Sequence, residues 1–257
     1  MRLFFIDAEE LQRREPAIYG GDVQHIRNVL RLGPGDRIGL LDGDGMAYDA
    51  RIRSLSPQKV TVTILNAFRH PNPPEGSIGI AQALLKDKKM DGLIRQLTEL
   101  GITDWLPFIS ERSVSRPDAY RWQRRIERWR SISREAVKQC RRPTVPRIYD
   151  PMDWDALLAA SGDWDHKFLF WERARHPFDR LNIVADNRNH RHRVLLVMGP
   201  EGGFSEKEAV RAEDWGFVPL SLGPRILRAE TATISACTLA QYFLGGFQTG
   251  GGLHPTI

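Results

Sequence analysis

The 257-residue chain is poor in cysteine. It holds Cys140 and Cys237 and no Cys-x-x-Cys pair, so neither a disulfide framework nor a zinc site is expected. Two reduced thiols suit a cytosolic setting, and a cytoplasmic protein is the expectation. No apolar run approaches the ~18 residues of a spanning helix, so no membrane span is expected. The opening residues meet acid at Asp7, too soon for a secretory leader. The seven histidines show no metal-ligand spacing, and His190 and His192 read as solvated members of a polar loop at 186–193. No metal is therefore expected. A Gly-x-x-x-x-Gly-Lys-Ser/Thr loop is absent, which excludes a P-loop. No Gly-x-Gly-x-x-Gly joins a strand to a helix, which argues against a Rossmann dinucleotide site. No Ser/His/Asp arrangement can be defended.

What is present is an excess of base, 37 Lys and Arg against 32 Asp and Glu, and enough apolar residue (41%) for a real core. The texture changes near residue 70. Before it come short strands and tight turns: 37–41 and 46–52 read as a hairpin around Asp42-Gly43-Asp44-Gly45, 59–65 alternates as a strand, and one helix is expected at 24–30. These predict a small β-barrel over 1–70. Pro71-Asn72-Pro73-Pro74-Glu75-Gly76 predicts a linker over 71–76. From 77 to 246 strands (77–84, 102–109, 167–171, 193–198, 217–222) alternate with helices (88–100, 117–140, 205–215, 229–244), as in an α/β domain. The run Val194-Leu195-Leu196-Val197-Met198 is apolar throughout, which implies cover on both faces and a parallel sheet. A glycine-rich tail is expected over 247–257.

Three segments carry candidate chemistry. Gly199-Pro200-Glu201-Gly202-Gly203-Phe204 follows the apolar strand and precedes a helix whose Ser205 and Glu208 have capping-box spacing. Its glycines exceed what a tight turn needs, and ligands of α/β sheets bind beyond strand carboxyl ends. The segment from Leu222 to Thr231 also joins a strand to a helix. That helix is apolar nearly all round and predicted to be buried, which makes Arg225, Arg228 and Glu230 at its mouth costly unless paired or facing a site. An Arg–Glu pair tying down the helix start competes with function there, evenly for Arg225 and less so for Arg228. Finally, 116–147 carries eleven cations and few acids, with Trp122, Ile126 and Trp129 on an apolar face. It reads either as a solvated face or as a phosphate-binding one.

With these segments in hand, the chain resembles the RsmE family, the 16S ribosomal RNA uridine-N3 methyltransferases of the SPOUT superfamily. The resemblance rests on 199–204 and 222–232 together. It is supported in order by His25 with Val29-Leu30-Arg31, Lys86 to Met90, Thr98-Glu99-Leu100-Gly101, Ser110-Glu111-Arg112-Ser113, and Gln139 with Arg142 and Pro146. It spans about residues 3–244. Ala229 stands where the family pattern has Thr, and Cys140-Arg141 fills the gap before Arg142.

The resemblance implies an α/β protein with an N-terminal PUA-like β-barrel and a C-terminal SPOUT domain containing a deep trefoil knot. It implies a homodimer acting on 16S rRNA of the small ribosomal subunit, at N3 of uridine 1498. S-adenosylmethionine would lie against Leu196, Met198, Gly199, Pro200, Glu201, Gly202 and Gly203 on one side. Leu222, Gly223, Ile226, Leu227, Arg228 and Thr231 would form the other. Arg228 is the candidate cation beside the uracil, with Glu230 either orienting it or helping to move the N3 proton. Arg27, Arg31, Lys86, Arg112, Arg124, Arg125 and Arg128 are candidate RNA contacts. A pure RNA-binding protein with a decayed α/β domain, and a related methyltransferase acting on ribose 2′-OH or tRNA, are the competing readings.

Overall fold

The computed structural model describes residues 2–69, 76–86, 89–114, 118–140, 142–179 and 192–247. Most of the expected linker, nearly all of the expected tail, and His190 lie outside the described residues. The chain divides into two units, one built on 1–73 and 137–145, the other on 74–136 and 146–251.

In the first unit, β1 (Leu3–Phe5), α1 (Ala8–Leu11), β2 (Ala17–Tyr19) and α2 (Gly21–Gln24) precede β3 (Arg37–Leu41), β4 (Met46–Leu55) and β5 (Lys59–Arg69). The Asp-Gly pairs reverse the chain between β3 and β4 as predicted. Gly43 and Gly45 sit at φ 88° and 108°, a region that costs side-chain-bearing residues about 1–2 kcal/mol. The strands order as β1-β3-β4-β5-β2, so the sheet keeps two edges, a curled half-barrel where the sequence predicted a barrel. Two irregularities in β4, at Asp49/Ala50 and Ile52/Ser54, bend that strand. Ile26, Ile38, Leu40, Ile52 and Val60 fill the core. The helix expected at 24–30 is α2 continued as a π-helical turn, His25–Val29. Arg31, which follows, has φ 53°.

The second unit holds β6 (Ser77–Ala83), α3 (Lys89–Leu100), β7 (Asp104–Ile109), α4 (Ala119–Cys140, its last turn in the first unit), β8 (Arg147–Ile148) and β9 (Met152–Asp153). It continues with α5 (Trp154–Ala159), β10 (His166–Phe170), β11 (His176–Pro177), β12 (Arg193–Met198), α6 (Glu206–Asp214), β13 (Val218–Ser221) and α7 (Ala229–Phe243). Its sheet runs β11-β13-β10-β12-β6-β7-β8, with β9 also on β7, and its strand pairs are parallel. The apolar run in β12 is explained by its pleat. Val194, Leu196 and Met198 meet Leu93, Leu97 and Ala236 from α3 and α7, whereas Leu195 and Val197 meet Leu157, Ala209 and Ala212 from α5 and α6.

Helix α7 differs from its expectation. Only one stripe, Thr233, Ala236, Cys237 and Ala240, is buried, while Ile234, Leu239 and Phe243 are half-buried and Tyr242 is 69% exposed. The sequence registers apolar composition all round the helix, but the fold supplies a neighbour on one side. His192 is also not simply solvated: its Nδ1 lies 3.1 Å from Nε2 of His166, because β10 and β12 start side by side.

Candidate functional site

Because β13, β10, β12 and β6 are parallel neighbours, the segments leaving their carboxyl ends converge on one edge of the sheet. From β12 comes 199–204, from β13 comes 222–228, from β10 come Trp171 and Glu172, and at the end of β6 stands Gln82. The segments that hold the sequence-predicted cofactor residues therefore lie at the same end of the sheet.

The first loop is held from three sides. Gln82, fully buried, donates from Nε2 to the carbonyl oxygens of Gly199 (3.1 Å) and Ala83 (3.0 Å), and its Oε1 accepts from Thr233 Oγ1 of α7 (2.6 Å). One amide thus ties β6, the loop and α7 together. Glu201 accepts from the backbone N–H of Lys86 and from Lys89 Nζ, both at 3.1 Å. Arg112 donates to the carbonyl of Gly202 at 3.0 Å. Gly203 has φ 65°, a left-handed conformation that favours glycine; a Cβ there would lie 3.0 Å from both carboxylate oxygens of Glu172, the end of an exposed side chain free to move aside. Beyond the loop, Ser205 and Glu208 close the expected capping box on α6. Glu208 Oε1 also accepts from the N–H of Glu111, and Ser205 Oγ donates to the Glu111 carboxylate.

The second segment is open. Arg228 is the N-cap of α7, is exposed, and makes no ion pair or side-chain hydrogen bond among the described residues. Arg225 is exposed too, and Ile226 is 90% exposed. The premise that these arginines are buried at a helix mouth is therefore corrected: the apolar helix begins after them, and they stand in solvent. Among the described residues, no Arg–Glu pair ties down the helix start. Glu230 instead meets Lys89 Nζ at 3.3 Å. Among the described residues, the backbone N–H groups of Arg225, Ile226 and Leu227 donate to no protein acceptor. Thr231 is exposed on the first turn.

Lys89, Gln82, Trp171 and Glu172 were not singled out by the sequence as site residues. Lys89 sits between two carboxylates, and the hydrogen bond to Glu201 raises its pKa despite some desolvation. Burial pushes the Glu201 carboxyl up, but the backbone N–H groups of Glu201 and Lys86 and the Lys89 ammonium outweigh it and hold the pKa below the ordinary range. Among the described residues, two buried polar atoms at this end of the sheet lack a partner: Trp171 Nε1, a donor, and Glu230 Oε2, an acceptor.

The candidate RNA contacts are dispersed. Arg27 and Arg31 lie in the first unit, on and just after the π-helical turn. Arg124 and Arg125 of α4 lie over the rings of Tyr120 and Trp122, each at 5.9 Å. Arg128 is paired with Asp91 at 2.7 Å, and Arg112 is committed to Gly202. The side chain of Lys86 is exposed. Among the described residues, no group of His, Cys, Asp and Glu could hold a metal, and no helix is long and apolar enough to cross a membrane.

Comparison with known proteins adds three results. Residues 71–241 match the RNA methyltransferase domain family, and residues 18–65 match the RNA methyltransferase PUA domain. The chain is 32% identical over 247 residues to ribosomal RNA small subunit methyltransferase E of Bacillus subtilis, covering 94% of this chain and 96% of that one. It is 31% identical to the protein of the same name from Aquifex aeolicus, covering 95% and 100%. Among solved structures, ribosomal RNA small subunit methyltransferase E from Neisseria gonorrhoeae bound to S-adenosyl methionine superposes with a TM-score of 0.80 at 29% identity, over 94% of this chain and 97% of that one.

Proposed function

The chain belongs to the ribosomal RNA small subunit methyltransferase E family, and from that premise we propose that it methylates N3 of a uridine in 16S rRNA, uridine 1498 by family naming, at the crevice between 199–204 and 222–228. As a member of that family it is an S-adenosylmethionine-dependent rRNA methyltransferase.

The residues present fit the cofactor. Gly199, Pro200, Gly202 and Gly203 bring backbone close without side chains in the way. Leu222 and Leu227, both partly exposed, supply apolar wall, whereas the side chains of Leu196 and Met198 are buried in the core and leave only their backbone to offer; the N–H groups of Ile226 and Leu227 are available as donors to an adenine ring. The two unpartnered buried atoms, Trp171 Nε1 and Glu230 Oε2, are what a polar ligand would satisfy. When bound, the cofactor supplies a sulfonium-activated methyl group. The chain's part is to align the uracil nitrogen with it, an entropic contribution, and to stabilise charge as the N3 proton leaves. Arg228 performs the second task. The observation that carries this is its exposed, unpaired guanidinium at the start of α7, beside the loop. Of the two roles open to Glu230, moving the proton is the one its geometry favours, because it pairs with Lys89 and leaves Arg228 alone.

The family resemblance is what supports a trefoil-knotted threading of this unit, and the order β13-β10-β12, in which the chain passes β10 between β12 and β13, is compatible with it. The half-buried apolar side of α7, with Tyr242, supports a homodimer in which a second copy covers it. Arg27, Arg31, Lys86, Arg124 and Arg125 would grip phosphates, with Arg112 and Arg128 contributing less because each already has a protein partner. Work on rRNA makes the cytoplasm the proposed compartment. Substituting Arg228→Ala is expected to lower kcat by about 10²–10³-fold, the typical loss of one transition-state donor, with affinity for S-adenosylmethionine largely kept. Turnover is read by mass spectrometry of the methylated nucleoside in small-subunit rRNA; full turnover in the variant removes Arg228 from the mechanism.

A further inference from the structure

Lys89 opens α3, and the two acids it touches are far from it and from each other in sequence. Its ammonium lies 3.1 Å from Glu201 on the loop after β12 and 3.3 Å from Glu230 on the first turn of α7. These are the two sides of the crevice. Among the described residues these three side chains form the ion-paired link across it. Glu230 gives one oxygen to Lys89, and its other oxygen, Oε2, is buried with no partner among the described residues. A buried, unpartnered carboxylate oxygen is costly and is tolerated where a ligand donor meets it.

Resting on the methyltransferase reading above, we propose that Lys89 is a positioning residue for the reaction: it fixes the separation of the two walls and holds Glu230 so that Oε2 accepts the proton of the acceptor nitrogen. The proton of the uracil N–H passes to Oε2, and its bonding pair stays on the nitrogen. That pair forms the new N–C bond as the C–S bond breaks, and the sulfur keeps the electrons of the broken bond. The charge count favours the step. Two carboxylates share one ammonium, so the cluster carries one surplus negative charge before the proton arrives. Once Glu230 is neutral, Lys89 and Glu201 remain as a balanced pair. Glu201 thus prevents Lys89 from making Glu230 too weak an acceptor. The Lys89 pKa, raised first by its hydrogen bond to Glu201, is consistent with an ammonium that stays charged throughout.

The test uses the full chain, S-adenosylmethionine and small ribosomal subunits lacking the modification. Glu230→Gln is expected to lower kcat about 10²-fold or more, the usual contribution of a positioned proton acceptor. Lys89→Met is expected to lower kcat roughly tenfold and to weaken cofactor binding measured by calorimetry. Lys89→Arg, which keeps the charge, restores most of both. In the double variant Lys89→Met/Glu230→Gln, kcat falls no further than in Glu230→Gln alone, because the two act as one unit. Thermal melts accompany each variant. The proposal is overturned if Lys89→Met turns over like the parent, if Lys89→Arg melts like the parent yet rescues nothing, or if the two losses multiply. A parent protein that neither binds the cofactor nor methylates the subunit overturns the methyltransferase reading instead, which is a separate result.

Discussion

Gln82 is the residue whose environment constrains it most. Its amide satisfies two carbonyls and a hydroxyl with no water-exposed surface. Replacing it with Glu turns the donor into a charge facing two carbonyl oxygens, and about 3 kcal/mol of stability should be lost at neutral pH. Gln82→Met, which removes the polar group, should lose about 1–2 kcal/mol. The buried Glu would have a pKa raised above its unfolded value, so its penalty is absent below that value and grows as pH rises. Urea titrations at pH 7 and pH 5 should therefore show the gap between the two variants closing on acidification; a constant gap would refute the assignment. Local pattern assigns no role to Gln82 or to Lys89, although the latter lies in the family-like run 86–90, because their partners lie 117, 151 and 112 residues away. The glycines were legible for the opposite reason. Backbone freedom is a property of the residue itself, and Gly203 shows it in its φ of 65°.

At the scale of elements, period and punctuation placed most strands and helices. Leu93, Ile94 and Leu97 announce α3, and Gly101 at φ 101° ends it. The pieces that escaped are short. The two-residue β8, β9 and β11 have no period to detect, and the π-helical turn in 25–29 depends on a bond pattern that composition does not encode. Helix α7 shows the limit most clearly, since an apolar circumference says only that something covers it. If a second copy does, the protein should sediment at about twice its 29.3 kDa. Tyr242→Asp, which places a charge on the uncovered side, should shift it to the monomer without unfolding it. A parent protein already at the monomer mass would contradict the dimer.

At the scale of the whole molecule, the surplus of base sets how the chain meets a polyanion. Arg124 and Arg125 are free of acidic partners among the described residues, whereas Arg128 is held by Asp91. Replacing all three with Ala should flatten the dependence of log K on log salt for rRNA by about 1–2, less than three full phosphate contacts would give. An unchanged slope would remove this helix from the RNA interface. The change of texture near residue 70 lies close to the 73/74 division between the two units, but the return of 137–145 to the first unit leaves no mark in local pattern. The order of strands around β10 was not legible either, because local pattern carries no information about which side of a neighbour the chain passes.

The clamp at Gln82 also bears on the order of events during synthesis. It gathers the end of β6, the loop at Gly199 and the helix at Thr233, so the crevice cannot exist until the second unit is nearly complete. Contacts of such long sequence separation close slowly. A nascent chain or a C-terminal truncation would have its apolar strands but no place for the cofactor, and free cofactor would hold only the finished product in its folded state. Cofactor binding at the proposed site thus requires α7 to be in place.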